Sequence, residues 1–262
     1  MPELPEVQTT VRGLDRVMRG RSIAAVWTDY NSAFHTGKDS IKDPAYFARF
    51  KKQVTGATIT GVDRKAKNIL IRIEKGSNKN AERSTILIHM KMTGHMMYGS
   101  YQFDAKKDRD PWTAAPGERP SLSDPFNRFI RFVITLDNGK QVVLSDMRKF
   151  AKVTLIAEKD LEKTVHLEHI GPDPLEPSFT FKVFADRMSR RPTGRVTNVL
   201  MDQSLIAGVG NIYSDEALWR AGLNPEERVA NIPAPLMKKL YAATIQVLKK
   251  GIDFGGDSMS DY

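Results

Sequence analysis

Between residues 5 and 19 apolar side chains recur every three to four positions. Val7, Val11, Leu14 and Met18 fall on one stripe, and Gly20 ends it. That spacing predicts an amphipathic helix. The period then shortens to two. Ser22–Thr28, Ala57–Asp63, Asn68–Ile73, Thr85–Met90, Arg128–Leu136, Gln141–Ser145 and Lys152–Ala157 read as strands. Asp137-Asn138-Gly139 lies between two of them and predicts a tight hairpin turn. Many short strands with no helices between them indicate an antiparallel sandwich or barrel. The segment 99–126, rich in Asp, Lys, Pro and Ser, reads as a long mobile loop.

Beyond residue 158 the pattern turns helical. Gly171-Pro172-Asp173-Pro174 punctuates the change, and helices are predicted over 178–190, 195–202, 211–221 and 234–250. The expected architecture is α+β: an N-terminal helix docked on a β-domain (residues 1–158), followed by an all-α domain (residues 159–262). The cleft between the two is the natural place for a ligand.

Charge narrows the partner. The 262 residues carry 40 Lys and Arg against 31 Asp and Glu, a net charge of +9, which suits a polyanion and above all nucleic acid. With no cysteine there is no disulfide, no Cys-ligated zinc and no thiol nucleophile. No apolar run approaches the roughly 20 residues needed to cross a bilayer, and the N-terminus lacks a signal-peptide core. A soluble cytoplasmic protein is expected, nucleoid-associated if bacterial.

The chemistry starts at the first residues, Met1-Pro2-Glu3-Leu4-Pro5-Glu6. With Met1 removed, Pro2 carries a free secondary amine whose pKa lies near 8, about two units below a lysine. Its neutral form can attack an electrophilic carbon and form an iminium. Glu3 is next in line to move protons, and Glu6 lies one turn further on. Taken alone, the stretch also reads as a plain helix entry, with Pro5 in the first turn and acidic residues facing the helix dipole. In the second half, Asp202–Tyr213 places Gly208 and Gly210 where a tight turn joins two helices, and Asn211 opens the second. Free N–H groups there favour a phosphate, with an ordinary helix hairpin capped by Asn211 as the alternative. Lys67 enters a strand beside Arg64 and Lys65. His89 and Lys91 sit at a strand end. Asp146-Met147-Arg148-Lys149-Phe150 combines cations with a ring, as a duplex wedge does. The run Arg187–Arg195 is basic and weakly specific.

Together these residues resemble the Fpg/Nei family of DNA glycosylases, and MPELPEV at 1–7 resembles its formamidopyrimidine branch. The likeness runs through RKAKNIL (64–70), HMKMTG (89–94), DMRKF (146–150), GPDPL (171–175) and LMDQSLIAGVGNIYSDEALWRAGLNP (200–225), in the family's order. It implies a two-layer antiparallel β-sandwich followed by a helix-two-turn-helix domain. It also implies a bifunctional glycosylase and abasic-site lyase acting as a monomer on damaged double-stranded DNA, removing 8-oxoguanine and formamidopyrimidines. Pro2 would attack C1′ and Glu3 would give and take protons, while Glu6 helps to hold the lesion site. Lys67 and Asn211 would bind phosphates flanking the lesion, with His89 as a further backbone contact. Met92, Arg148 and Phe150 would fill the void left by the flipped-out base.

Three positions depart from the family's pattern. Thr197 stands where a lysine is common, with Arg195 nearby as a substitute, and Ala151 replaces a Gly after Phe150. Gly255–Tyr262 resembles the lead-in to the family's lesion-capping loop and C-terminal zinc finger. The four Cys ligands and the Arg of that finger are not in this chain, so no metal cofactor is expected. The sequence reads as a truncation or a zincless variant. A non-catalytic damaged-DNA-binding protein is the rival reading, which the intact Pro2-Glu3 pair opposes. MPELPEV likewise opposes a preference for oxidised pyrimidines.

Overall fold

A computed structural model of the chain describes residues 1–76, 81–107 and 109–254. Helix α1 (Leu4–Met18) leads into β1 (Ile23–Thr28) and α2 (Pro44–Val54). Strands β2 (Thr58–Lys65), β3 (Asn68–Lys75), β4 (Glu82–His89), β5 (His95–Gly99), β6 (Tyr101–Phe103), β7 (Trp112–Ala114), β8 (Ile130–Leu136), β9 (Gln141–Ser145) and β10 (Lys152–Ala157) follow. Helices α3 (Phe181–Ser189), α4 (Val196–Met201), α5 (Asn211–Ala221) and α6 (Ala234–Asp253) complete the described chain. No described helix is long and apolar enough to cross a membrane.

Eight of the strands form two antiparallel sheets, ordered β1-β8-β9-β5 and β10-β4-β3-β2, and β6 and β7 pair separately. Alternation puts Ile69, Ile71 and Ile73 of β3 and Ile86 and Ile88 of β4 into one core with Phe132 and Ile134 of β8 and Val142 and Leu144 of β9. The stripe of α1 adds Val7, Val11, Leu14 and Met18 to that core. This is the expected α+β class, a two-layer sandwich with an N-terminal helix and then a helical domain. β8 and β9 pair as the predicted hairpin, with Gly139 at φ +80° in the turn.

Three expectations need correction. Residues 99–126 are not a featureless loop among the described positions: β6 and β7 pair there, and Tyr101, Trp112 and Leu122 cover Met97, Ile130, Val133 and Val143. The sheet is apolar on its outer face too, and that face draws the polar-looking segment onto itself. Helix α2 was not foreseen, although Asp43 caps it by accepting from the N–H groups of Ala45 and Tyr46 and Pro44 opens it. β5 was also missed, because His95 and Tyr98 break the apolar run that pairs with β9.

The halves interlock through α1. Leu4 belongs to the helical core rather than the sandwich core. Its N–H donates to Gly208 O at 3.1 Å. Gly208 has φ +84°, and a Cβ there would strike the Leu4 side chain, so this close approach demands glycine. Across the same seam Arg64 pairs with Asp173 at 2.7 Å while its Nε donates to Gln8 Oε1 at 2.8 Å.

Candidate active site at the groove between the domains

The turn between α4 and α5 is built around two side chains. Asp202 Oδ1 accepts from the N–H and hydroxyl of Ser204, at 2.9 and 2.6 Å. Gln203 Oε1 accepts from Gly208 N at 2.9 Å, and its Nε2 donates to Val209 O at 2.7 Å. The result aims the first amides of α5 at the chain's own N-terminus. Glu3 accepts from Gly210 N at 2.8 Å, Ile212 N at 3.0 Å and Tyr213 N at 3.4 Å. The N-terminal end of α5 is therefore capped by a carboxylate from another element. This corrects the expectation that its free amides await a phosphate: the described bonds give three of them to Glu3. Gly210, not Asn211, is the N-cap, and Asn211 is the first helical residue, exposed beside it. Only Gly208 of the two turn glycines has positive φ; Gly210 is needed for space, because a Cβ there would meet the Glu3 carboxylate.

Behind Glu3 lie Glu6 and Lys67. Glu6 accepts from Glu3 N and from the Tyr213 hydroxyl, both at 2.7 Å. Lys67, in the turn between β2 and β3, is 6% exposed and donates from Nζ to Val209 O at 2.8 Å. It is no solvated strand edge: Arg64 and Lys65 pair with Asp173 and Glu162, while Lys67 points into the seam. Burial pushes the Glu3 carboxyl up, against the pull of the Ile212 and Tyr213 amides and Lys67. Burial pushes Lys67 down, against Glu3 and Glu6. Burial thus disfavours the charged form of both groups, a perturbation typical of functional sites.

His89, at the end of β4, accepts from Lys91 N at 3.0 Å through Nδ1. Burial, then Lys91 and Lys67, push its imidazole down to about 4, so at neutral pH it is an uncharged donor. Further along the same edge Met92, Arg148 and Phe150 form one exposed ridge. Arg148 Nη1 lies 3.6 Å from Met92 Sδ, and its guanidinium stacks 4.5 Å from the Phe150 ring centre. Met92 and Phe150 are 49% and 47% exposed and flank the Arg148 guanidinium between them.

Residues 1–153 match the family described as formamidopyrimidine-DNA glycosylase N-terminal domain, and residues 170–262 match its H2TH domain. The chain belongs to the formamidopyrimidine-DNA glycosylase family. Among curated relatives, the formamidopyrimidine-DNA glycosylases of Moorella thermoacetica and Herpetosiphon aurantiacus are 31% and 30% identical, over 100% of this chain and 82% of theirs. Among solved structures, a complex of the Lactococcus lactis enzyme with abasic-site DNA aligns over 99% of this chain and 82% of that one, at 26% identity and TM-score 0.76. A second complex of that enzyme, with DNA containing a formamidopyrimidine lesion, aligns at 27% identity and TM-score 0.75, over 98% of this chain and 82% of that one.

Within this glycosylase the structure gathers Glu3, Glu6, Lys67 and the Asn211 turn in one groove, with Pro2 beside them in sequence. His89 adjoins Lys67 electrostatically. Met92, Arg148 and Phe150 form their separate ridge. Asp146 is the residue whose part sequence reasoning missed. Fully buried, it accepts from Thr93 Oγ1 (2.6 Å), Tyr30 Oη (2.8 Å) and Ala151 N (2.8 Å), and so binds the two ridge loops together. An Asp opening a basic loop was the available signal. The Arg187–Arg195 run is largely paired: Arg190 with Asp186, Arg191 with Asp202, and Arg195 with Glu226 at 2.8 Å, so Arg195 is already engaged. Among the described residues no group of three or more His, Asp or Glu could hold a metal ion, and the chain has no cysteine. These residues do not fit the family's four-cysteine zinc centre. Gly255–Tyr262 lies outside the described residues.

Gly210→Ala isolates the role of the Glu3 cap. The methyl group must displace a carboxylate without touching any substrate-binding side chain. Base excision should fall by about two to four orders of magnitude, the usual share of a positioned proton-transfer group. Single-turnover kinetics check it; an undiminished rate would mean that Glu3 need not sit where it does.

Proposed function

We propose that the chain removes oxidised purines, 8-oxoguanine and formamidopyrimidines, from duplex DNA and then cuts the strand at the abasic site, as a monomer. The observation that carries this reading is the capture of Glu3 by the α5 amides, which ties the chain's N-terminus, Lys67 and Asn211 to one groove. In the processed protein the Pro2 nitrogen attacks C1′ as the bond from C1′ to the base breaks, and Glu3 supplies and later recovers protons. The sugar ring then opens as the C1′–O4′ bond breaks and O4′ takes a proton from Glu3, and the iminium that results acidifies the C2′ hydrogen. Its loss expels the 3′ phosphate by β-elimination, and a second elimination expels the 5′ phosphate. Glu6, held by Tyr213, fixes Glu3 from behind. Asn211 and, on exchanging Val209 O for the DNA, Lys67 hold flanking phosphates, and His89 donates to the backbone as a neutral ring. A cavity of about 400 Å³ lined by Ile212, Tyr213, Glu216, Val247, Lys250, Gly251 and Phe254 adjoins the groove. Met92, Arg148 and Phe150 replace the flipped nucleotide in the stack.

The test is release of free 8-oxoguanine from a duplex under single-turnover conditions, with Met1 removed from the protein. Free base and a nicked strand are expected, with an undamaged duplex left intact. Tight binding of the lesion duplex without release would establish a damaged-DNA-binding protein instead.

A further inference from the structure

The reading above uses Lys67, His89 and Asn211 and leaves a second set of cations without a role. β10 is the edge strand of its sheet, and Lys152 at its start pairs across the ladder with His89. The segment after β1 closes on that edge: Ile41 N donates to Val153 O at 3.1 Å and Lys42 Nζ to Lys149 O at 2.7 Å. Lys38 lies further out, its ammonium 3.1 Å from His35 Nδ1 and 5.6 Å from the centre of the exposed Phe34 ring. Lys91 turns outward from His89 with a left-handed φ of 58°. Lys38, Lys42, Lys91 and Lys152 therefore form a band along this edge, with Lys42 in electrostatic reach of the other three. Among the described residues none of the four makes an ion pair, unlike the Lys149 beside them, which pairs with Asp29. Asp39 and the buried Asp146 are the acidic groups near the band.

The band is electrostatically uncomfortable. Lys42 is held below the ordinary lysine range by burial and then by Lys38, Lys152 and Lys91, with Asp146 opposing. Burial and Lys91 do the same to Lys152, with Asp39 opposing. Like charges kept together without counter-ions destabilise the free protein and are relieved when a polyanion arrives. The alternative of a merely solvated face would be served by lysines spread apart or paired, as in the Arg187–Arg195 run.

We propose that this band binds the phosphates of the duplex arm extending past the lesion on the β10 side, lengthening the DNA footprint beyond the groove. The proposal rests on the glycosylase reading. Lys38 and Lys152 are the residues to test, since Lys42 also braces the Lys149 carbonyl. Binding of the full chain to a duplex with a reduced abasic analogue would be measured from about 50 to about 200 mM salt. Lys38→Gln combined with Lys152→Gln should flatten the slope of log K against log salt by about 1.8, at 0.9 for each phosphate contact. Binding should weaken roughly tenfold or more at about 0.1 M salt. The double Lys→Arg variant should keep the wild-type slope. Trimming one of the two duplex arms should erase the difference between wild type and the Gln variant, and trimming the other should preserve it. An unchanged slope on the long duplex would overturn the band while leaving the glycosylase reading intact. Failure of the wild-type chain to bind any lesion duplex would overturn both.

Discussion

Borohydride added during reaction with abasic-site DNA should trap a covalent protein–DNA adduct when Met1 has been removed, and none when Met1 is retained. The difference is one of electron availability. A retained Met1 makes the Pro2 nitrogen a tertiary amide whose lone pair is delocalised into a carbonyl, whereas processing leaves a secondary amine with a pKa near 8. Met1 is 51% exposed and belongs to neither hydrophobic core, so its removal leaves both cores intact. The anchor lies one residue later, at Glu3 and Leu4, and positions the new terminus whether or not Met1 is present. Among the described residues the other amine buried in the groove's wall is Lys67, engaged with Val209 O. Mass mapping of the trapped peptide decides between them. An adduct on Lys67, or one formed equally by the Met1-retaining protein, would remove Pro2 from the mechanism.

How far the sequence alone reaches depends on where the information lies. The stripe of α1 and the alternation of β3, β4, β8 and β9 are local and survive in the fold, since each pattern has one period and one buried face. β6 and β7 were lost because their apolar partners lie on the outer face of the sheet, a fact visible only after the sheet exists. The site shows the same division. Pro2, Glu3, Lys67, His89 and Asn211 could be nominated from motif and resemblance, but the event that assembles them is a bond between residues 3 and 210. No pattern of spacing announces that a helix N-terminus will be capped from the far end of the chain. The expectation of free amides at α5 needed correction for the same reason: the anion that satisfies three of them comes from within the chain. The role of Asp146 was likewise only hinted at by its place at the head of a basic loop, because its three partners come from residues 30, 93 and 151.

Glu3→Gln should cost about two to four orders of magnitude in base excision while the protein still folds, and the contrast separates chemistry from architecture. The amide oxygen still accepts from Gly210 or Ile212, so the α5 cap is weakened by roughly 1–3 kcal/mol rather than lost. Proton transfer is lost outright, since an amide neither donates as an acid nor recovers a proton as a base. The pH dependence of stability gives an independent check. Burial raises the folded-state pKa of Glu3 above its ordinary 4.5. A carboxyl raised in this way favours the folded protein below the unfolded value, and that contribution is lost as pH rises through the folded value. Gln has no proton to lose, so wild type should gain on Glu3→Gln when unfolding is compared at about pH 4 and at about pH 7, with the gap narrowing at the higher pH. Denaturant titration at the two pH values measures it. If the variant excises bases at the wild-type rate, Glu3 serves only as the cap of α5, and the proton must travel through Glu6 or water.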